Sequence, residues 1–118
     1  MKIAITGASG QIGVCLVKEL IKEGHVLKAL IYDSKKGLEN LNVDFIYGNV
    51  LKEEDCDRLC SDVEVVFHLA AIVTINGDSK GHVRNVNVNG TRNILNACVK
   101  HKVKKLGASL KTYVVVNI

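Results

Sequence analysis

The sequence lacks a hydrophobic run long enough to cross a membrane. Its longest apolar stretch, VEVVFHLAAIV, is interrupted by Glu64 and His68, whereas a membrane span needs about 20 apolar residues. The first residues, MKIAITGASG, contain one lysine and become glycine-rich too early for a secretory signal. These absences predict a cytoplasmic protein without a membrane partner.

The sequence also lacks acidic residues in its last third. Residues 79–118 contain 8 Lys or Arg and no Asp or Glu, whereas residues 1–78 contain 8 Lys or Arg and 12 Asp or Glu. A basic segment can indicate nucleic-acid binding. However, aromatic residues make up only 4% of the chain and are not interleaved with the basic ones. We therefore expect solvated helix and loop positions and no nucleic-acid partner.

The cysteines are few and irregularly spaced. Cys15, Cys56, Cys60 and Cys98 match neither a disulfide framework nor the spacing of zinc ligands. Cys56 and Cys60 are four residues apart and could share a helix face, but no histidine lies near them in the sequence. The pattern predicts buried, reduced cysteines and no metal site.

The chain has the length of a single domain, and its sequence pattern predicts strands followed by helices. Its 118 residues and 47% hydrophobic content predict one globular domain over residues 1–118. Alternating strands and helices indicate βαβ units, hence an α/β fold with a doubly wound parallel sheet of the Rossmann type. Four strands are predicted at 2–6, 26–32, 43–47 and 63–69, and three helices at 11–24, 51–62 and 81–101. A fifth strand starts at Val103 or lies at 113–116, and the fold is expected to be truncated after about that strand.

A glycine-rich turn, TGASGQIG, connects the first predicted strand to the first helix. Gly7 would allow a sharp turn, Gly10 would let the backbone approach a pyrophosphate, and Gly13 would let the helix pack closely on the sheet. Amides from about Ser9 to Ile12 would then face the anion at the helix start. This placement predicts a dinucleotide site, with a plain strand-to-helix turn as the alternative.

Four segments in order resemble motifs of the extended short-chain dehydrogenase/reductase superfamily. The turn matches TGxxGxxG, and Gly48-Asn49-Val50 is similar to a Gly-Asp-Val/Leu segment that contacts adenine. HLAA at residues 68–71 and NVNGTRN at residues 87–93 resemble the HxAA and NVxGTxN motifs. The resemblance covers roughly residues 3–106. The branches of the superfamily that the chain resembles are the NAD-dependent epimerases/dehydratases and the dihydroflavonol-reductase-like enzymes.

This resemblance implies a cofactor site for NAD or NADP. The glycine turn would bind the pyrophosphate, Asp33 the adenosine ribose, the segment after the third strand the adenine, and the two alanines of HLAA the nicotinamide ribose side. The implied cofactor-binding residues are Gly7, Ser9, Gly10, Gln11, Ile12, Gly13, Asp33, Lys36, Asn49, Val50, Leu69, Ala70, Ala71 and Asn87.

The choice between NAD and NADP stays open in the sequence. Asp33 follows Gly13 by 20 residues, the distance expected for an acid that binds the ribose hydroxyls. Where dihydroflavonol-reductase-like members often have an arginine that holds the NADP phosphate, this chain has Tyr32. Lys35 and Lys36 could bind that phosphate instead, or simply be solvated. Asn49 replaces the family's aspartate, and its amide can still pair with adenine.

The superfamily's catalytic Tyr-x-x-x-Lys pair has no convincing match. Tyr32 and Lys36 have the spacing, but they lie where the family binds adenosine, and His68 resembles a structural histidine. The main hypothesis is the cofactor-binding portion of an oxidoreductase or epimerase/dehydratase that acts on a small hydroxyl or carbonyl substrate. Alone, this portion is expected to bind cofactor weakly and to lack turnover. Alternatives are a non-catalytic NAD(P)-sensing module and an inactive fragment.

Overall fold

Residues 1–69, 85–109 and 113–117 are described by the computed structural model of the chain. In this part of the chain, helices connect β1 to β2, β3 to β4 and β4 to β5, a loop connects β2 to β3, and a short π-helix precedes α3. The elements are β1 (Lys2–Thr6), α1 (Gln11–Lys22), β2 (Val26–Ile31), β3 (Asp44–Tyr47), α2 (Glu53–Cys60), β4 (Val65–His68), a π-helix (Asn85–Gly90), α3 (Thr91–Lys100), β5 (Lys105–Ser109) and β6 (Tyr113–Asn117).

The strands form one sheet in the order β3-β2-β1-β4-β5-β6. Neighbouring strands from β3 to β5 are parallel, and β6 runs antiparallel to β5. The doubly wound parallel sheet predicted from the sequence is confirmed. Both candidates for the last strand are strands in the structure, so the sheet gains an antiparallel edge beyond β5.

Residues in the central strands alternate between the two faces of the sheet, as side chains do along any strand. Ile3 and Ile5 pack in a core on the side of α1, together with Val17 of that helix. Ala4 faces the opposite core, which contains the buried residues of α2 and α3. Helices therefore cover both faces, which explains why the strands are apolar throughout.

The third predicted helix differs from a single continuous α-helix. Residues 85–90 form a π-helix, and α-helical geometry begins at Thr91. Short π-helical turns occur mostly within α-helices, so a sequence pattern over residues 81–101 does not reveal one. Predicted helical positions 81–84 lie outside the described residues.

The cysteine prediction is right for three residues and wrong for one. Cys56, Cys60 and Cys98 are buried between α2, α3 and the sheet, and burial raises the pKa of the Cys56 thiol to about 12. Cys15 is exposed, because it lies on the outer face of α1. Among the described residues, no cluster of His, Cys, Asp or Glu side chains could hold a metal ion.

The described helices are too short or too polar to span a bilayer. None of them, within residues 1–69 and 85–109, combines the length and apolar composition that a membrane-spanning helix requires.

Candidate functional site

The sequence-predicted segments meet at the carboxyl edge of the sheet. Thr6, the last residue of β1, pairs with Leu30 of β2 on one side and His68 of β4 on the other. On the far side of β2, Ile31 pairs with Tyr47 at the end of β3. The glycine turn therefore starts between the segment carrying Asp33 and the segment carrying Leu69, where ligands bind in open α/β sheets.

Gly7 makes the turn off β1 with a left-handed backbone. Its φ is +70°, a conformation that side-chain-bearing residues rarely adopt. Its carbonyl oxygen accepts a hydrogen bond from the Gly10 N–H at 3.2 Å. This bond closes the turn before α1 begins.

Gly13 allows α1 to pack against the turn. A Cβ atom at this position would lie 2.3 Å from the Gly7 carbonyl oxygen and 2.7 Å from the Ala8 Cα. Both are backbone atoms, so no side-chain rotation could relieve the overlap. The fold itself requires glycine at position 13.

Gly10 is different, because the fold tolerates a side chain there. A Cβ atom would lie 3.4 Å from the Gly7 oxygen, an ordinary contact, and the φ of −71° suits any residue. The residue is exposed and is the N-cap of α1, which has neither a capping side-chain bond nor an acid in its first turn. Packing against the described residues therefore does not require glycine at position 10.

Asp33 and its neighbours follow β2 at the same edge. The Asp33 side chain is exposed, and Tyr32 before it is 74% exposed. Lys35 lies over the Phe45 ring, with its Nζ 5.0 Å from the ring centroid, a cation–π contact. Lys36 is exposed, and its backbone N–H donates to Ser34 Oγ at 3.1 Å.

Asn49 and Val50 are more structural than the sequence suggested. Asn49 Oδ1 accepts from the Leu51 N–H at 2.9 Å and so forms an Asx turn. The Val50 side chain is buried in the core, and its carbonyl accepts from Asn93 Nδ2 at 2.9 Å. A Cβ atom at Gly90 would meet Val50 at 2.7 Å, so this segment is held against the start of α3.

Sequence reasoning missed Asp55, the residue that anchors this segment. Its Oδ2 accepts from the Asn49 N–H at 2.9 Å, and its Oδ1 accepts from Arg58 Nη2 at 2.7 Å. The Arg58 bond, followed by the Asn49 bond, holds the pKa of the Asp55 carboxyl below its ordinary value. Gly48 leaves space for this carboxylate, since a Cβ atom there would lie 2.6 Å from Asp55 Cγ. The sequence showed only an acid in the first turn of a helix, which the helix dipole favours anyway.

We expect Asp55→Asn to destabilise the fold by about 1–2 kcal/mol, because an amide cannot accept both bonds and leaves a donor unpaired. Urea unfolding at pH 7 would measure the change. Asp62→Asn is the matched control, since the Lys2–Asp62 pair is exposed to solvent and such pairs contribute little. Equal stability of the two variants would contradict the anchoring role of Asp55.

His68 lies buried at the end of β4, 3% exposed. Its Nδ1 is 2.7 Å from Thr6 Oγ1, and its Nε2 is 3.0 Å from Thr91 Oγ1. Burial lowers the pKa of the imidazole to about 4, so the ring is neutral at pH 7. The geometry agrees with a structural histidine.

The remaining predicted site residues follow β4. Leu69 is half-buried, and its N–H donates to the Thr6 carbonyl at 3.1 Å. Asn87 lies half-buried in the π-helix, and its carbonyl accepts from Thr91 Oγ1 at 2.6 Å. Ala70 and Ala71 lie outside the described residues.

The sequence of the chain matches the model of a known family. The model of the 3-beta hydroxysteroid dehydrogenase/isomerase family aligns with residues 4–115. The chain belongs to this family. The resemblance to extended short-chain dehydrogenases/reductases is thereby confirmed, together with an N-terminal position relative to its longer relatives.

Curated relatives of the chain differ in their named activities. A UDP-N-acetyl-alpha-D-glucosaminuronate decarboxylase of Bacillus cytotoxicus is 38% identical over 112 residues, which cover 89% of this chain and 35% of that protein. A dTDP-6-deoxy-L-talose 4-dehydrogenase (NAD(+)) of Aggregatibacter actinomycetemcomitans is 35% identical over 89 residues, covering 73% of this chain and 33% of that protein. The chain thus spans about a third of the length of these relatives.

Solved structures show the same relation. UDP-glucose 4-epimerase of Thermotoga maritima, solved with UDP-glucose, superposes with a TM-score of 0.80 at 30% identity, covering 90% of this chain and 36% of that one. UDP-glucose 4-epimerase of Thermus thermophilus, solved with NAD, gives 0.77 at 25% identity, with coverages of 90% and 36%. The chain therefore has the architecture of about a third of each of those enzymes.

Proposed function

We propose that the chain binds a nicotinamide dinucleotide and is the cofactor-binding portion of an oxidoreductase or epimerase/dehydratase. The observation that supports this best is the contrast between Gly13 and Gly10. Packing demands glycine at position 13, whereas nothing in the described fold demands it at position 10. Gly10 has no side chain beside the uncapped amides at the start of α1, so a pyrophosphate could approach those amides closely.

The other residues would hold the cofactor on either side of that turn. Ser9 and the Gln11 and Ile12 amides would complete the pyrophosphate site at the start of α1. Asp33 would bind the adenosine ribose. The side-chain Nδ2 of Asn49 would donate to the adenine edge, because its backbone N–H already donates to Asp55. Leu69 and Asn87 flank the site from β4 and the π-helix, and the alanines at 70 and 71 stay predictions for the nicotinamide ribose. Bound there, the cofactor would supply hydride chemistry.

We expect NADH to bind the chain and Gly10→Val to weaken binding at least about tenfold, because branched carbons would displace the diphosphate from the helix amides. Cofactor fluorescence during titration measures the Kd. Urea unfolding of the same variant is the control: the Cβ atom has room, so the variant should still fold, although valine is a poorer N-cap than glycine. An unchanged Kd would refute the pyrophosphate assignment.

We further propose that the cofactor is NAD rather than NADP. The Asp33 carboxyl group would bind the ribose hydroxyls and leave no place for a 2′-phosphate, and Lys35 lies over the Phe45 ring, which engages its ammonium group in a cation–π contact. The Thermus thermophilus relative was solved with NAD. We infer a small-molecule substrate bearing a hydroxyl or carbonyl group from the relatives' named activities.

NADH should bind about tenfold more tightly than NADPH, a difference of about 1.4 kcal/mol. Asp33→Asn should narrow that ratio by improving NADPH binding, since it removes the like charge. Lys104→Ala is the matched control, because this exposed side chain lies before β5 at the opposite edge of the sheet, and it should leave the NADH Kd unchanged. Tighter binding of NADPH by the wild-type chain would reverse the assignment.

A further inference from the structure

The hydrogen bond that Thr91 donates points to one tautomer of the buried His68 ring. Thr91 has one hydroxyl proton, and it donates this proton to the Asn87 carbonyl at 2.6 Å. Thr91 Oγ1 can therefore only accept from His68 Nε2, 3.0 Å away. In a neutral imidazole, Nδ1 then carries the lone pair and accepts from the Thr6 hydroxyl at 2.7 Å.

The resulting chain of bonds connects three elements of the site. Thr6 is the last residue of β1, immediately before Gly7, and its carbonyl is bonded to the Leu69 N–H as well. Thr91 is the first residue of α3. The imidazole, buried from solvent, bridges the side chains of these two residues.

We propose that His68, as the neutral tautomer protonated at Nε2, is a positioning residue that holds the start of the glycine turn against the start of α3 and thereby sets cofactor affinity. It need not touch the cofactor. On one side, the bond to Thr6 fixes the position of Gly7, whose carbonyl is bonded to the Gly10 N–H. On the other side, the bond to Thr91 fixes the position of Asn87. The effect on affinity rests on the function proposed above, whereas the tautomer does not.

Matched variants at Thr91 test the positioning role. Thr91→Val keeps the shape but removes the hydroxyl, and it should raise the NADH Kd about fivefold, a difference of about 1 kcal/mol. Thr91→Ser keeps the hydroxyl and should restore binding to within about twofold of wild type. At His68, leucine should weaken binding as well, whereas glutamine retains a donor toward Thr91 and should rescue part of the loss. Affinities that follow side-chain size rather than the hydroxyl would overturn the proposal.

Nitrogen-15 NMR of the full chain at pH 7 tests the tautomer without cofactor. Long-range proton–nitrogen correlations should show His68 protonated at Nε2 and unprotonated at Nδ1. A proton on Nδ1, or on both nitrogens, would overturn the assigned network. If wild-type chain shows the expected tautomer but binds no NADH, the proposed function fails while the network stands. If the chain binds NADH and Thr91→Val leaves its Kd unchanged, the positioning role fails alone.

Discussion

Gly13→Ala is expected to destabilise the chain by about 3 kcal/mol, at the upper end of overpacking effects. The new methyl carbon would lie 2.3 Å from the Gly7 carbonyl oxygen, so α1 must move away from the turn. That movement would pull Val17 from the core on its side of the sheet. Against a total stability of about 5–15 kcal/mol, this is a large share. Urea unfolding followed by circular dichroism would measure it.

Gly10→Ala is the matched control for that substitution, three residues away in the same turn. Its methyl carbon meets the Gly7 oxygen at an ordinary 3.4 Å, so we expect the free energy of unfolding to change by less than about 1 kcal/mol. If Gly10→Ala lowered the free energy of unfolding as much as Gly13→Ala, this would contradict the interpretation that only Gly13 of the two is required for packing.

Acid should destabilise the chain between pH 6.5 and pH 4 through His68. The imidazole has a pKa of about 4 in the folded chain, below its ordinary 6.5, so the unfolded chain takes up a proton first as the pH falls. Stability from the neutral ring is complete above 6.5 and is lost progressively down to about 4, by up to about 3 kcal/mol. Urea unfolding at a series of pH values would measure this loss.

His68→Gln supplies the control, because glutamine does not titrate. Its stability should vary less with pH across this interval than that of wild type, although it starts lower at pH 7. Asp55 does not disturb this comparison, because it titrates at lower pH. The pKa of its carboxyl is lowered from the ordinary 3.8 in the folded chain, so its contribution to stability is lost only as the pH falls through that lower value. Parallel pH profiles for wild type and variant would show that His68 is not the responsible group.

Patterns local in sequence predicted most of the fold. Strand and helix periodicities gave the order of elements, and the glycine turn was placed correctly between β1 and α1. The requirement for Gly13 also follows from local geometry, since its constraint comes from Gly7 and Ala8. The path after residue 103 stayed undecided because both candidate segments are apolar enough to be strands, and both are.

Contacts between distant residues could not be predicted in the same way. The bond from Asp55 to the Asn49 N–H depends on how α2 lies against the end of β3, and a single sequence does not specify that distance. The Asx turn occupies the Asn49 oxygen that could otherwise have faced adenine. The bonds of His68 to Thr6 and Thr91 join residues 62 and 23 positions apart. Sheet register brings Thr6 to His68, and the packing of α3 brings Thr91.

The uncapped start of α1 would also couple binding of an anion to folding. Helices usually begin with a side chain that satisfies their first amides, and α1 has none in the described structure. An anion bound there would serve as the missing cap and would bind the folded chain alone. At 100 times its Kd, such a ligand raises the apparent free energy of unfolding by about 2.7 kcal/mol. The midpoint of thermal unfolding should therefore rise with cofactor concentration.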